Sequence, residues 1–530
     1  MTRYTPVLTA AVCMALALAV SPAGQADTVS QGQKVQTWNM TDTDPLPPTD
    51  IYRPGPSTPP KHKDLATFAW LEFIALSAIV DDSMRGSPGG SFADSGFDPA
   101  ATLVWETYQH RSELFPYNAG GAVEPQPWNA TPLYVFSGSS GAYIPPFDNF
   151  NNLDEASQIG QNTIFFPYDG GDGDAQLLFQ AKVNKVESDY VREMVMNPSA
   201  TQGGINLPDN VIEVKSAWIA LDAIPESERY RYHTSEVIIY TGDDDNPVAT
   251  TETRALLGLH IIQKTPNYPA FIFATFEHTD ILVDPVTNQD TGVYYIPAYD
   301  EIEYAKPSTT KLAASGETVV NPNILFFTDN PYAYPNYIRV PLPLGSVANI
   351  AGATDIGDGQ YAIPVVQPPT TNKDVAKANQ DAYQAMTKIP GFDDEFVWQY
   401  YQLKGVQGVP TNNDSDEDFY LANIVIESSQ PGIQLFRGGF GIATTDGVST
   451  LTNTRNQSNV IDEAQGGQTF SVGGCQGCHG VAQTQAGFDF SFLFGAQNGK
   501  GFAPDTIGVK SREEMLERLV DYSLTPPTNP

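Results

Sequence analysis

The positions of the cysteines constrain this chain more than any other feature of its sequence. Cys13 lies in a leader-like start, while the remaining two, Cys475 and Cys478, stand three residues apart near the other end. Residues 1–26 read as a signal peptide. Arg3 gives a positive start, Val7 to Val20 is apolar apart from Thr9, and Ser21-Pro22-Ala23-Gly24-Gln25-Ala26 supplies mostly small residues before a cut. The apolar run is short for a membrane span, and Val12 before Cys13 does not suit a lipoprotein signal. The expected mature protein is soluble, periplasmic or secreted, with no integral membrane segment. An exported chain is free to use disulfides, yet this one keeps no cysteine for its large middle. That body must hold together by ordinary packing, helped at most by bound cations.

Composition supports a packed body. Hydrophobic residues make up 41% of the chain, with 27 Phe, 25 Tyr and 6 Trp, which is too rich in large apolar groups for a disordered acidic protein. The formal net charge is −34, and removing a leader that holds one base and no acid makes it more negative still. Such a field opposes nucleic acid and anionic lipid. A protein partner is expected to dock with a basic face. Alternatively, the acids serve only solubility in a salty medium, where screening weakens their repulsion.

Asp27 to about Pro60 is rich in Pro, Thr, Ser and Asp and reads as an extended arm. Helices are expected at Leu65 to Val80, at Pro99 to Leu114 with Asp98 as cap, near 174 to 194, and at Val375 to Lys388. Strands are expected at Val211 to Leu221, Tyr232 to Tyr240, Ala255 to Lys264 and Ala270 to Glu277. Further strand signals fall at Tyr294 to Pro297, Ile324 to Thr328, Tyr337 to Pro343, Phe396 to Gln402 and Phe419 to Ser428. The expected architecture is α+β: a large, mostly antiparallel β body with flanking helices and a small C-terminal segment that carries Cys475-Gln-Gly-Cys-His479, the spacing of c-type haem attachment. Its divisions are a signal peptide over 1–26, a Pro-rich arm over 27–62, the body over 63–465, and a haem-attachment segment over 466–530 packed on the body. In that last segment, Phe488, Phe490, Phe492 and Phe494 share one face if extended, and Ser511 to about Tyr522 carries a helix start signal.

Cys475-Gln-Gly-Cys-His479 has the spacing for covalent haem attachment. Two thiols separated by two residues bond to the two vinyl groups, and the adjacent imidazole ligates the iron. A thioredoxin-like pair would need a βαβ setting, and a structural zinc site would want more ligands than the two mature cysteines and one histidine of the motif. The expected cofactor is one covalently bound haem c, held by Cys475, Cys478 and His479. Its sixth iron position stays open between Met515, an open or water-filled site, and the strand histidines His233, His260 and His278, with Met386, His62 and His110 as weaker choices. Glu277-His278 is also a candidate acid–base pair or turn cap. Asp169-Gly-Gly-Asp-Gly-Asp174 is a candidate Ca²⁺ loop without the full calcium-loop pattern, and Asn412 to Asp418 is a weaker one. No phosphate-gripping loop, dinucleotide fingerprint or zinc-protease helix is present.

Several stretches together resemble a group of large, poorly characterised bacterial cytochrome c family proteins with a single haem motif near the C-terminus. They are Phe68 to Leu76, Trp105 to Tyr108, Glu213 to Trp218, Gly258 to Ile262, Phe273 to His278, Leu421 to Glu427, Gly474 to Gly480 and Asp489 to Leu493. The resemblance implies that body and haem segment form one unit, and it supplies no substrate and no catalytic residue. The expected function is electron transfer with a redox partner protein. The alternative is a haem-dependent oxidoreductase, peroxidase-like or small-molecule-oxidising, with an open distal iron site. A haem-based ligand binder is a third class.

Overall fold

Alternating apolar residues in the middle of the chain pair into one antiparallel sheet, and that sheet positions everything else. The computed structural model describes residues 39–53, 61–118, 124–134, 136–138, 141–143, 149–156, 165–166, 175–196, 205–243, 246–279, 337–341, 354–357, 360–364, 372–410, 418, 421, 423, 426, 441–445, 448–452, 460–462, 468–470, 473–486, 489–495 and 501–507. Among them, the principal elements in chain order are α1 (His62–Leu76), β1 (Gln109–His110), β2 (Leu178–Val183), α2 (Lys185–Met196), β3 (Ile212–Ala220), β4 (Thr234–Asp243), β5 (Asn246–Thr265), β6 (Tyr268–His278), α3 (Lys373–Met386), β7 (Tyr401–Gln407) and α4 (Gly474–Ala486).

The sheet runs β7-β6-β5-β3-β2-β1, with β4 pairing the first half of β5, and every pairing is antiparallel. The protein is thus a mixed α+β fold with a multi-stranded antiparallel sheet and flanking helices. Strand side chains alternate between faces, and the two cores follow that alternation. Ile272, Ala274 and Phe276 of β6 join the larger core with Trp70 and Phe73 of α1 and Ala382 of α3. Phe271 and Phe273 join the other core, with Ile262 of β5, Val191 of α2 and the tail residues Phe490, Leu493 and Phe494. One face therefore carries α1 and α3, and the opposite face carries α2, α4 and the tail.

The α1 face is held by interlocking aromatic rings and one amide. Phe73 stacks on Phe276 at 4.4 Å, with Trp70 and Trp398 edge-on to Phe73. Asn379 of α3 accepts from Trp70 Nε1 at 3.0 Å and from Leu403 N at 3.1 Å, so one side chain ties α1, α3 and β7. Glu72 of α1 is fully buried there, and neither carboxyl oxygen has a hydrogen-bond partner among the described residues. Burial holds this acid well above its ordinary 4.5, because no neighbour repays desolvation of the charged form. The folded protein then keeps the proton while the unfolded chain loses it above about pH 4.5. Stability contributed through this group falls as pH rises, by about 1.4 kcal/mol per pH unit until the folded carboxyl ionises. Glu72→Gln is expected to remove that slope, as read by denaturant unfolding at acid and neutral pH. An unchanged slope would mean that Glu72 is charged in the fold.

Several expectations shift. Residues 99–114 do not form one helix: a 3₁₀ turn at Trp105–Thr107 leads to β1 and a four-residue helix, Arg111–Leu114. The inward-turned carboxylates of Glu106 and Glu113 accept from Leu103 N and His110 N, and so compete with helical bonding. Asp98 closes the preceding short helix, Phe92–Phe97, rather than opening a new one. The helical signal near 174–194 resolves into β2 and then α2, and the strand expected at Phe396 begins only at Tyr401 after a 3₁₀ turn. The described part of the arm packs down: Met40 and Ile51 enter the larger core, and Gln263 donates to Pro48 O at 2.8 Å. Of the stretch Phe419 to Ser428, residues 421, 423 and 426 are described, and none lies in a strand. The strand signals at Tyr294 to Pro297 and Ile324 to Thr328, the helix signal from Ser511, and the leader lie outside the described residues. Among the described residues, no helix is long and apolar enough to cross a membrane.

Candidate functional site

The Cys-x-x-Cys-His motif occupies the first turns of α4, which begins at Gly474. Residues at i, i+3 and i+4 share one helical stripe, so Cys475, Cys478 and His479 line up along α4. The two cysteines are not joined in a disulfide.

Side chains from the sheet seat this helix. Gln407, the last residue of β7, accepts from Gln476 N at 2.8 Å and donates to Gly473 O at 3.1 Å. A distant amide thus serves one of the amide hydrogens that a helix start leaves unpaired. Gln476, one of the two residues between the cysteines, is fully buried and donates to Ala270 O and Phe271 O of β6, at 3.0 and 2.9 Å. Gly474 takes φ +68°, and an added Cβ would collide with the carbonyl oxygen of Asp418. Phe271 also has a positive φ, +62°. That conformation is costly for a side chain of its size, and the two carbonyls gripped by Gln476 lie at this point.

The imidazole is oriented by the tail. His479 Nδ1 lies 2.8 Å from Phe490 O. A carbonyl only accepts, so Nδ1 carries the hydrogen and the ligating lone pair belongs to Nε2. The ring sits between Phe273 of β6 at 4.8 Å and Phe492 at 4.9 Å. Phe492 is 46% exposed. The tail itself is not extended. Asp489 has φ +56°, and Phe492–Gly495 form a 3₁₀ turn, so Phe490 and Phe494 are buried while Phe492 faces outward. Asp489 anchors this bend through an ion pair with Lys264 of β5 at 2.7 Å and by accepting from Leu207 N at 3.0 Å.

The sheet sorts the other candidate residues. His260 of β5 pairs with Lys215 and Thr275 and stands two residues before Ile262, on the face that bears Phe273 and α4. His278 ends β6 on the face of α1, stacked on Tyr232 at 3.9 Å and edge-on to Tyr401 at 4.9 Å. Its Nε2 donates to Arg231 O at 3.0 Å, and burial together with the nearby Arg231 charge keeps the ring neutral. Glu277 points to the opposite side and meets Lys404 at 3.8 Å, so Glu277 and His278 do not form a working pair. His233 is buried against Glu106 at 3.2 Å, and His110 against Asp154 at 3.2 Å. His62, at the start of α1, meets Asp418 at 2.8 Å, and Met386 of α3 lies in the α1-side core. Met515 and the candidate Ca²⁺ loop Asp169 to Asp174 lie outside the described residues, as does most of Asn412 to Asp418.

Among the described residues, no group of three or more His, Cys, Asp or Glu is arranged to hold a metal ion. Haem does not require such a group, because porphyrin supplies four donors and the protein only axial ones. The residues at α4 suit covalent haem: two thiols and an imidazole on one stripe, a fixed tautomer and flanking aromatic rings. Gln407, Gln476 and the Phe490 carbonyl carry no motif signal, since glutamines and backbone carbonyls acquire their roles only through the fold. No family model, no curated protein and no solved structure matches this chain.

Proposed function

We propose that the chain is an exported c-type cytochrome that carries one haem on α4 and transfers electrons. The observation that carries this reading is the setting of His479 within Cys475-Gln-Gly-Cys-His479, with Nδ1 fixed on Phe490 O and the ring between Phe273 and Phe492. When bound, haem iron supplies a one-electron couple. Cys475 and Cys478 would tether the porphyrin through thioether bonds, and His479 Nε2 would be the nitrogen that binds its iron. The Phe490 carbonyl holds the imidazole in the ligating tautomer and raises its basicity. Phe492, exposed beside the imidazole, would add aromatic surface for the bound group. The resemblance to large cytochrome c family proteins and the expected export route point the same way. The strongly acidic composition suits a redox partner with a basic face.

On the distal side, His260 is the candidate that shares the sheet face of α4. Optical and magnetic spectra of the purified protein test the reading. Native protein is expected to give a low-spin, six-coordinate iron, and His260→Ala to convert it to a high-spin form. A low-spin spectrum retained in His260→Ala would pass the role to Met515. A high-spin, ligand-accessible native iron would sink the carrier reading in favour of a haem oxidoreductase or ligand binder.

A further inference from the structure

Behind the tail segment that orients His479, the protein buries more acids than bases. Glu187 of α2 and Glu213 of β3 are both buried on the α4 side of the sheet, and each lies within the electrostatic reach of the other. Neither oxygen of Glu187, and only one of Glu213, finds a donor elsewhere among the described residues. The charged groups facing the pair are Asp489 from the tail and, through it, Lys264 from β5. Lys264 is already engaged by Asp489 at 2.7 Å, and among the described residues no other cation pairs with the two glutamates. Two adjacent carboxyls in a low-dielectric site cannot both ionise, so they share a proton.

The pair is wired to the haem-bearing helix through three consecutive residues. Asp489 presses on the glutamates, Phe490 O accepts from His479, and the Ser491 hydroxyl reaches Glu213. Ser491 Oγ already accepts from Leu493 N at 3.1 Å, so its own hydrogen is the one directed at Glu213. Burial is the main reason both acids titrate high: Glu187 well above its ordinary value, and Glu213 up to about 7.

We propose that Glu187 and Glu213 form the redox-linked proton site of this protein, taking up one proton when a haem attached at Cys475 and Cys478 is reduced. This rests on the proposed function. With haem bound, a one-electron donor protein would supply the electron that takes the iron from ferric to ferrous. One proton from solvent then adds to a carboxylate oxygen of the pair, and oxidation reverses both. The lost positive charge at the iron is what raises the proton affinity of the pair. Glu213, the less deeply buried member at 7% exposure, is the entry point.

Potentiometric titration of the full-length holoprotein across neutral pH tests this. The potential is expected to fall with pH, approaching about 59 mV per pH unit, the equivalent of a tenfold step for a one-electron couple. Glu187→Gln and Glu213→Gln should each flatten that slope. The reduced-minus-oxidised infrared spectrum of the native protein should also gain a protonated carboxyl band near neutral pH, a readout that needs no variant. Absence of covalent haem would overturn the cofactor reading together with this inference. With haem present, three results would overturn the inference alone: a pH-independent potential, a slope preserved in both variants (as haem propionates would give), or no carboxyl band.

Discussion

If the proposed haem is present, serine at both Cys475 and Cys478 is expected to abolish its covalent attachment, with haem content after denaturation falling to background. Thioether bonds are the only links that survive unfolding, and the one other cysteine, Cys13, lies more than 450 residues away in sequence and outside any Cys-x-x-Cys-His motif. Each single variant keeps one thiol, and a reduced yield of singly attached haem is expected. His479→Ala should do different damage, keeping both thiols but losing the proximal nitrogen that Phe490 O orients. Haem staining on a denaturing gel, with an alkaline pyridine spectrum of the same sample, separates these cases. Full covalent haem in the double serine variant would place the attachment elsewhere and end the proposal. No haem in the native protein, expressed with export and haem-attachment machinery, would do the same.

The largest stability loss is expected at Arg85. This guanidinium is 5% exposed, and all five of its N–H groups are used. It grips Glu113 in a bidentate pair at 2.9 and 2.7 Å and donates to the carbonyls of Thr107, Tyr108 and Trp128. The rings of Trp128 and Phe150 lie about it at 5.2 and 5.1 Å. Arg85→Met should cost about 3–5 kcal/mol, because it leaves the fully buried Glu113 carboxylate without its counter-charge. Arg85→Lys should recover little, since an ammonium has three donors and no planar fork. Combining Arg85→Met with Glu113→Gln should restore a measurable part of the loss, because the stranded charge is then gone. Denaturant unfolding of the four proteins decides it. A loss under about 1 kcal/mol for Arg85→Met would mean that Glu113 gives up its charge at little cost.

The middle strands were readable because each is a run of β-branched and aromatic residues between turn signals. β3 and β6 fall where Val211 to Leu221 and Ala270 to Glu277 predict them, Ala255 to Lys264 marks only the second half of the longer β5, and α3 overlaps Val375 to Lys388. The segment 99–114 misled for an equally physical reason. Its helical pattern was real, but Glu106 and Glu113 found partners in the interior, and local helix propensity loses to a buried ionic network. The phenylalanines at 490, 492 and 494 do not share one face, because Asp489 bends the tail to meet Lys264 from a distant strand.

By itself the sequence determined the local chemistry: two thiols and an imidazole at helical spacing, in a chain whose only other cysteine is Cys13. Those relations span five residues and survive any arrangement of the rest. Only the tertiary structure decided that His260 shares a face with α4 while His278 faces α1, and that two glutamates from α2 and β3 meet behind the His479 support. The reason is parity and register. Which face a strand residue takes depends on its pairing with neighbours many residues away, and one bulge reverses it. Such bulges occur here in the β3–β5 and β6–β7 pairings.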